Sequence, residues 1–587
     1  MPYTPTRWTL DALIPGGDQA AIDRALAAHD KTVKKVEAWR KKLKPTIAVK
    51  DFQALLRDYE TMTHAGRRLF VYAALRFYAD TQDSAALALF SQIQARAAEV
   101  QNRTLFFSLW WKALDDQRAA RLMAAAGDLR YWLEQLRNFK PYTLSEAEEK
   151  VINLKDVTGF QALDNLYDML TSGFEFTLEV DGERRTLTRD ALMAYAYHPD
   201  PDLRRAAYQE LYRVYSAQAP VLAQVYRSMM TDWRNENVGL RRFKSPIAVR
   251  NLANNLPDKV VDTLLDVIRR NAGVFQRYFK LKARWLGLEQ LRRYDIYAPL
   301  AKSDRKIAYS DGVQMVLDTF QAFSPRVGQL ARQVFADGHV DAELRPGKRG
   351  GAFCYGALPG LSPWVLINYN GQARDVATIA HELGHAIHYL LAGDHPTLVF
   401  DASLPLAETA SVFSEMLLTE KLVAQEPDPA VRRDLLAGAL DDAYATVGRQ
   451  GFFALWEKEA HTLIAQGKTT DEMAARYLET LREQFGDAVQ VSDEFKWEWV
   501  AVPHFYGTPF YVYAYAFGQL LVLALYERYK REGASFIPRY LKILSYGGSE
   551  APARILKEAG INIASAQFWQ GGFDVISRMI NELEQLH

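Results

Sequence analysis

The chain has 587 residues, of which 49% are hydrophobic and 24% are charged, as in an ordinary globular protein. Its 71 basic and 71 acidic side chains cancel, so the charge balance gives no support for binding nucleic acid or an anionic membrane surface. The single cysteine, Cys354, excludes an internal disulfide and favours a reducing compartment.

The start of the chain lacks a charged segment followed by an apolar run, so we expect no signal peptide. No stretch approaches the roughly 18 uninterrupted apolar residues of a membrane span. These observations predict a cytoplasmic protein without a membrane partner. They leave its oligomeric state open.

Helical patterns dominate the first part of the chain. Residues 18–45 form a long amphipathic pattern, and helical segments continue to about residue 172. Residues 174–180 and 183–187, joined by Asp181-Gly182, predict a β-hairpin with a type I′ turn. Because this hairpin stands alone among helices, we place a boundary near residue 190. The predicted domains are a helical N-terminal region over 1–190 and a second domain over 191–587.

The second region is also predicted to be helical. Residues 189–238 read as helix, and another helix starts at residues 255–258 and runs to about residue 287. Residues 294–299 read as a short extended stretch. With helices dominating, the sequence predicts a mostly α protein with small β insertions.

A glycine-rich segment, residues 347–355, is followed by a second predicted strand at 364–369. The small residues Gly350, Gly351 and Ala352 permit close approach of another backbone. An exposed strand edge can bind an extended peptide through backbone hydrogen bonds, although a plain turn and hairpin fit the same pattern. Cys354 has no neighbouring base pattern and is interpreted as a small hydrophobic residue.

The pattern His381-Glu382-Leu383-Gly384-His385 lies on a predicted helix with apolar flanks. Histidines four residues apart share one helix face, so both imidazoles can reach one zinc ion at about 2.0–2.1 Å. Glu382 is turned away from that axis and is the expected general base. A solvated helix face is the alternative interpretation, but burying two histidines and a glutamate without partners is costly.

A catalytic zinc ion needs a third protein ligand. His388 shares the face, but it lies roughly 10 Å from His381 along the axis, which is too far for one ion. Residues 405–415 read as a second helix, with Glu408 near its start as the predicted third ligand. Glu415 is predicted either to accept a hydrogen bond from a ligand imidazole or to be a structural carboxylate.

Residues 504–518 are unusually rich in tyrosine, and Gly507 and Pro509 indicate that the first half is a loop. Peptide hydrolysis builds negative charge on the carbonyl oxygen, and a neutral donor placed there stabilises the transition state. Histidine and tyrosine are suitable donors. A tyrosine-rich helix start packed in the core is the alternative for some of these residues.

The sequence HELGHAIH at 381–388, followed by AETASVFSE at 407–415, resembles the thimet oligopeptidase and oligoendopeptidase F family of zinc metallopeptidases. The thimet branch has a Pro-Ser-Gln-type sequence after its glutamate ligand. Here Glu408 is followed by Thr-Ala-Ser-Val, as in the oligoendopeptidase F branch. Residues 105–190 resemble the N-terminal module of that branch, and residues 350–352 resemble its Gly-Gly-Ala segment. The resemblance therefore spans most of the chain.

The resemblance implies a large two-lobed helical protein with a deep central channel, one Zn²⁺ per chain and short peptides as substrates. It implies that His504 and a tyrosine donate to the oxyanion, with Tyr513 as first choice and Tyr511 next. The predicted substrate-binding residues are Gly350, Gly351, Ala352, Phe353, His388 and Tyr506.

The expected function is zinc-dependent hydrolysis of internal bonds in short unfolded oligopeptides, with water activated by the metal and Glu382 as base. Two alternatives remain. The first alternative is a carboxypeptidase or dipeptidyl carboxypeptidase of the same helical zinc type. The second is a non-catalytic peptide-binding scaffold with a structural metal. The glutamate at position 382 disfavours the scaffold, because a structural zinc site does not need it.

Overall fold

The structure is a computed structural model that describes residues 3–300 and 306–586. Helix makes up 71% of the chain, and the described residues form three small sheets. The prediction of a mostly α protein with small β insertions is therefore confirmed. Among the residues that the structure describes, no helix is both long enough and apolar enough to cross a membrane.

Helices account for most of the elements. The first fourteen are α1 Gln19–Ala38, α2 Val49–Ala79, α3 Ser84–Ala113, α4 Asp116–Met123, α5 Arg130–Asn138, α6 Glu146–Thr158, α7 Phe160–Ser172, α8 Arg189–Met193, α9 Pro201–Trp233, α10 Pro246–Ala253, α11 Asp258–Arg270, α12 Ala272–Trp285, α13 Tyr309–Phe323 and α14 Pro325–Ala336. The others are α15 Ala373–Leu391, α16 Leu404–Ala407, α17 Ser411–Gln425, α18 Pro429–Ala443, α19 Gln450–Ala465, α20 Thr470–Phe485, α21 His504–Gly507, α22 Tyr513–Glu532, α23 Ile537–Ser545, α24 Pro552–Glu558 and α25 Ala566–Glu584.

The strands are short and form three separate sheets. They are β1 Phe176–Val180, β2 Glu183–Leu187, β3 Leu291–Arg292, β4 Val340–Asp341, β5 Phe353–Tyr355, β6 Trp364–Leu366 and β7 Val489–Gln490. Strands β1 and β2 form an antiparallel hairpin, β3 pairs with β7 in parallel, and the third sheet has the order β4-β6-β5. The hairpin turn has positive φ at both Asp181 and Gly182, as a type I′ turn requires.

Contacts divide the chain into two compact units. Unit 1 comprises residues 1–140, 304–422 and 528–561, and unit 2 comprises residues 141–303, 423–527 and 562–587. The boundary predicted near residue 190 falls inside unit 2 and stays a prediction.

In unit 1, one apolar cluster supports the three-stranded sheet. Trp364 and Leu366 of the central strand β6 are fully buried in it, together with side chains of α1, α2 and α3. Phe353 and Tyr355 of the edge strand β5 pack against the same cluster. The helix α15 contacts β5, β6, α13 and α14, so the sheet and this helix pack against each other.

Several predicted elements differ from the structure. The helix predicted over 189–238 is interrupted at residues 198–200, before Pro201 begins α9. The helix predicted from residue 258 to about 287 is interrupted at Asn271, whose side chain donates to the carbonyl of Val267 and competes with the helical pattern. Residues 293–295 form a 3₁₀ turn where an extended stretch was predicted. Asp295 is buried there and accepts hydrogen bonds from Arg204 and Arg292. The predicted helix at 405–415 is divided between α16 and α17.

Candidate metal centre

The helix α15 presents His381 and His385 on one face. Its opposite face is anchored in the core, where Val376, Ile379 and Leu383 are fully buried. The two imidazole rings lie one turn apart, with centroids separated by 4.8 Å and planes nearly perpendicular. The amphipathic pattern of the sequence therefore fixes both rings on the same side of the helix.

A close approach at Gly384 brings the next segment of chain to these histidines. A Cβ atom at Gly384 would lie 2.6 Å from both the carbonyl oxygen of Ala410 and the Cα atom of Ser411. Only glycine leaves this space, so the chain between α16 and α17 crosses directly over α15. Glu408 lies at this crossing, immediately after the end of α16 and outside the helical segments.

The crossing places a carboxylate beside both imidazoles. Oε2 of Glu408 lies 3.5 Å from Nε2 of His381 and 3.4 Å from Nε2 of His385. One ligand atom from each of the three residues lies within 4.8 Å of the others. Two imidazole nitrogens and one carboxylate oxygen form a donor set that zinc takes in catalytic sites, so these residues fit such an ion.

Further contacts orient two of these side chains. Ser411 donates a hydrogen bond of 2.5 Å to Oε2 of Glu408, and Nδ1 of His381 lies 2.7 Å from Oε1 of Glu415. Burial lowers the pKa of His381, but the carboxylates of Glu415 and Glu408 outweigh it and raise that pKa to about 9. Burial lowers the pKa of His385 to about 4. The negative potential that favours a proton on His381 also favours a metal cation.

Glu382 faces the cavity that the histidines line. This cavity has a volume of about 290 Å³, and its lining includes His381, His385, His388 and Glu382. Glu382 is buried, and in the described part of the chain its Oε2 atom has no hydrogen-bond partner. Burial raises the pKa of Glu382 to about 7, and a bound cation would oppose that shift. An unpartnered carboxylate oxygen in this position is available to a water molecule.

His388 occupies the far end of the same face. It is buried but lines the cavity, and burial lowers its pKa to about 4. Its imidazole is therefore neutral at physiological pH. His388 is not part of the cluster of possible ligands, which consists of His381, His385 and Glu408.

The strand β5 forms one edge of its sheet and one wall of the cavity. It pairs with β6 on one side, with Phe353 opposite Leu366, and no strand among the described residues pairs with its other side. Ala352, Phe353 and Cys354 line the cavity. Burial raises the pKa of the Cys354 thiol well above its usual value, so it is a protonated thiol at neutral pH.

Hydrogen bonds from two side chains hold the loop before β5 in place. Lys348 donates to the carbonyls of Asp341, Glu343 and Ile367, and Asn368 donates to the carbonyl of Gly351 at 2.7 Å. A Cβ atom at Gly350 or Gly351 would meet no atom within 4 Å, so the loop's surface is open.

The tyrosine-rich segment belongs to unit 2. His504 is exposed, its ring is parallel to that of Tyr511 at 5.7 Å, and its Nε2 lies 3.3 Å from the hydroxyl of Tyr515. The rings of Tyr511 and Tyr515 are perpendicular at 5.2 Å. These three side chains, His504, Tyr511 and Tyr515, are called the aromatic cluster below.

Two tyrosines chosen from the sequence lie elsewhere. Tyr513 is fully buried, and its hydroxyl accepts a hydrogen bond of 2.8 Å from Asn254. Tyr506 is also fully buried, and its ring stacks on that of Tyr167 at 3.7 Å. This burial argues against Tyr513 as the oxyanion donor and against contact of Tyr506 with substrate.

The sequence analysis placed Tyr513 first and Tyr511 next as oxyanion donors, and it gave no role to Gly384 or Asn368. The spacing of the tyrosines gave no signal for Tyr515, since Tyr511 lies before α22, which begins at Tyr513, and its contact with Tyr515 is seen only in the structure. The contacts of Gly384 and Asn368 are tertiary, and no local pattern reports them.

Comparison with known proteins gives two family matches. The model of "Peptidase family M3" matches residues 194–575, and the model of "Oligopeptidase F" matches residues 110–176. Oligoendopeptidase F, chromosomal, of Lactococcus lactis subsp. cremoris is 30% identical over 72% of this chain and 70% of its own length. Oligopeptidase PepF of Bacillus subtilis is 25% identical over 99% of this chain and 87% of its own. The crystal structure of oligoendopeptidase-F from Enterococcus faecium superposes with a TM-score of 0.71 at 23% identity, covering 96% of this chain and 99% of the other, and shows a shared fold.

Proposed function

Since the chain belongs to peptidase family M3 and is a metallopeptidase, we propose that it is a zinc-dependent endopeptidase that cleaves internal bonds of short unfolded oligopeptides. One observation carries the proposal. The side chains of His381, His385 and Glu408 converge beside the unpartnered carboxylate of Glu382, in a cavity whose wall is the edge strand β5.

His381, His385 and Glu408 would hold one Zn²⁺ per chain. When bound, the ion supplies Lewis-acid polarisation of the scissile carbonyl and makes water more acidic. Glu415 accepts a hydrogen bond from Nδ1 of His381 and keeps the ligating nitrogen unprotonated.

Glu382 moves the protons of the reaction. Its free Oε2 atom accepts a proton from the attacking water, and the resulting acid gives that proton to the departing amine. The position of this carboxyl suits both steps, because the group lies beside His381 and His385 in the same cavity and its Oε2 atom has no hydrogen-bond partner among the described residues.

The substrate backbone would bind along β5. The unpaired edge of this strand offers backbone donors and acceptors to an extended peptide, and residues 350–352 leave room for it. Phe353 and His388 line the cavity and would contact the residues beside the scissile bond. Such recognition is independent of side-chain identity and suits varied peptides.

Hydrogen-bond donation to the oxyanion is proposed for the aromatic cluster. His504 is the histidine of the family resemblance. Tyr515 is exposed and Tyr511 is half-buried, which supports these tyrosines in preference to the fully buried Tyr513. Partial desolvation and the positive charge of Arg449 lower the pKa of His504, which favours its neutral form.

Two further proposals concern the whole chain. The Oligopeptidase F match ends at residue 176, and the Peptidase family M3 match begins at residue 194. The gap between them supports a domain boundary near 190. The single cysteine supports a cytoplasmic location.

The deciding experiment is cleavage of an internally quenched peptide of about ten residues that is capped at both ends, with products identified by mass spectrometry. We expect internal cuts that a chelator abolishes and added zinc restores. An intact capped peptide, together with cleavage of its free-acid form, would replace the endopeptidase with a carboxypeptidase or dipeptidyl carboxypeptidase. If the zinc-loaded protein cleaved neither peptide, the result would favour the non-catalytic peptide-binding scaffold.

A further inference from the structure

Residues 509–513 of unit 2 contain a turn in an unusual backbone conformation. Phe510 has φ of +58°, in the left-handed region that a bulky side chain rarely adopts. Its side chain is 1% exposed, so the ring cannot relax into solvent. Such a conformation persists where surrounding groups determine it, and those groups are identifiable here.

Glu457 of α19 makes the central contact. Its Oε1 atom accepts a hydrogen bond of 2.8 Å from the backbone N–H of Phe510, and the whole residue is fully buried. One helical turn further along, the imidazole of His461 stacks on the ring of Phe510 at 4.9 Å. One helix therefore holds both the backbone and the ring of Phe510.

Contacts from α10 and its C-terminal end hold the two sides of the turn. Arg250 donates from Nε to the carbonyl of Pro509 at 3.2 Å, and Asn254 donates to the hydroxyl of Tyr513 at 2.8 Å. Together with Glu457, they fix the path of the chain over five residues.

The turn leads directly into the aromatic cluster. Tyr511 follows Phe510 in the chain, and its ring is stacked parallel to His504 and perpendicular to Tyr515. A change of φ at Phe510 would rotate Tyr511 away from both partners. We propose that Glu457 is a positioning residue, which sets the orientation of the aromatic cluster through the N–H of Phe510. The effect of Glu457 on catalysis rests on the proposed function, in which the aromatic cluster donates to the oxyanion.

A role in filling the core does not account for this carboxyl. Burial raises the pKa of Glu457 to about 8, and its second oxygen has no hydrogen-bond partner among the described residues. An apolar side chain of equal size would occupy the same space without that cost. What the carboxyl adds is an acceptor for the N–H of Phe510.

The test compares Glu457→Met with Glu457→Gln on the capped quenched peptide. Methionine keeps the length of the side chain and removes the acceptor, so we expect kcat to fall about ten- to a hundredfold, as for a misplaced catalytic group, with KM changed less than about threefold. Glutamine presents an amide oxygen to the same N–H, and we expect it to restore kcat to near the wild-type value. Zinc content should be equal in all three proteins.

Glu459→Met is the matched control, because Glu459 lies on the same helix but pairs with Arg476 at 2.6 Å and not with the turn. We expect its kcat to equal that of the wild type. A folded, zinc-loaded Glu457→Met protein with wild-type kcat would overturn the inference. So would Glu457→Gln if it lost as much activity as Glu457→Met.

Amide hydrogen exchange provides a readout that does not need activity. In the wild-type protein the N–H of Phe510 should exchange slowly although it lies outside the helices, and Glu457→Met should accelerate it. Fast exchange in the wild type would overturn the inference even if the methionine variant failed to fold. A zinc-loaded wild type that left the peptide intact but showed slow exchange of this N–H would contradict the proposed function. It would still support the hydrogen bond between Phe510 and Glu457.

Discussion

His381 contacts two carboxylates through opposite sides of its ring: Nδ1 lies 2.7 Å from Glu415, and Nε2 faces Glu408 at 3.5 Å. Glu415 therefore fixes the tautomer that carries its hydrogen on Nδ1 and leaves the Nε2 lone pair for a metal. We predict that Glu415→Ala weakens zinc binding by about 10- to 100-fold, measured by competition with a chelator of known affinity.

Glu420→Ala is the control for that measurement. Glu420 lies on the same helix, α17, but pairs with Lys530 at the surface, so its loss should leave zinc affinity unchanged. Equal affinities for the wild type and Glu415→Ala would show that Glu415 has only a structural role.

The carboxyl of Glu382 faces the cavity but is not part of the ligand cluster. Glutamine at this position keeps the shape and removes the base, so we predict that Glu382→Gln lowers kcat by about 100- to 10,000-fold and leaves one zinc ion bound. Turnover and zinc content should be measured on the same preparation. Glu408→Gln should lose both turnover and the bound zinc ion. Retained turnover in Glu382→Gln would remove this residue from the mechanism.

The glycine between the two histidines sets the distance from α15 to Glu408. A methyl group at Gly384 would lie 2.6 Å from backbone atoms of Ala410 and Ser411, so those segments must separate. We predict that Gly384→Ala sharply lowers zinc affinity although it changes no ligand.

Gly438→Ala is the control. Gly438 also lies in a helix but faces open space, so alanine there should be neutral or stabilising by up to about 1 kcal/mol. Unchanged zinc affinity in Gly384→Ala would show that the crossing tolerates a wider separation.

The sequence predicted those parts of the site that repeat along one helix. The spacing of His381 and His385 is a property of α15 alone, so a periodic pattern was enough to place both rings. Glu408 was identified as well, but within a continuous helix. The break there follows from the close packing of two segments at Gly384, which no local pattern contains.

The same limit explains the tyrosines. Several tyrosines within ten residues have similar local propensities, and the burial of Tyr513 is decided by a partner, Asn254, that is 259 residues distant in the chain. At the interruption of the predicted helix, the side chain of Asn271 adds a distant hydrogen bond to Gln570 to its local one to Val267. Tertiary contacts of this kind override local helix propensity.

The difference in burial separates Tyr511 and Tyr515, which we propose for catalysis, from the buried Tyr513. We predict that Tyr511→Phe or Tyr515→Phe lowers kcat, by up to the 100- to 1,000-fold that loss of one oxyanion donor costs, with a smaller change in KM. Tyr513→Phe should instead lower the free energy of unfolding by about 1 kcal/mol, because the Asn254 amide loses its acceptor. Its kcat should change little, because Glu457 and Arg250 still hold the turn before Tyr511. Steady-state kinetics and thermal unfolding of the three variants distinguish these outcomes. A large loss of kcat confined to Tyr513→Phe would contradict the assignment.

The loop before β5 provides a test of substrate binding that is separate from the metal. Asn368 donates from Nδ2 to the carbonyls of Arg349 and Gly351 and thereby holds the loop against its sheet. Among the described residues, no hydrogen bond or ion pair joins this loop to Glu382 or to the proposed metal ligands, so its release should weaken binding of the peptide backbone more than the chemical step. We predict that Asn368→Ala raises KM several-fold with a smaller effect on kcat, and that zinc content and melting temperature stay near wild type.

Asn370→Ala is the matched control for the loop. Asn370 carries the same side chain two residues further on, and among the described residues its side-chain amide donates only to the carbonyl of Asn368, at 3.3 Å. Its removal leaves both hydrogen bonds of Asn368 to the loop in place, so KM should not change. Because a peptide bound along β5 must pass the residues that Asn368 holds, an unaltered KM in Asn368→Ala would place the substrate backbone elsewhere. A fall in kcat with constant KM would instead give the loop a role in the transition state.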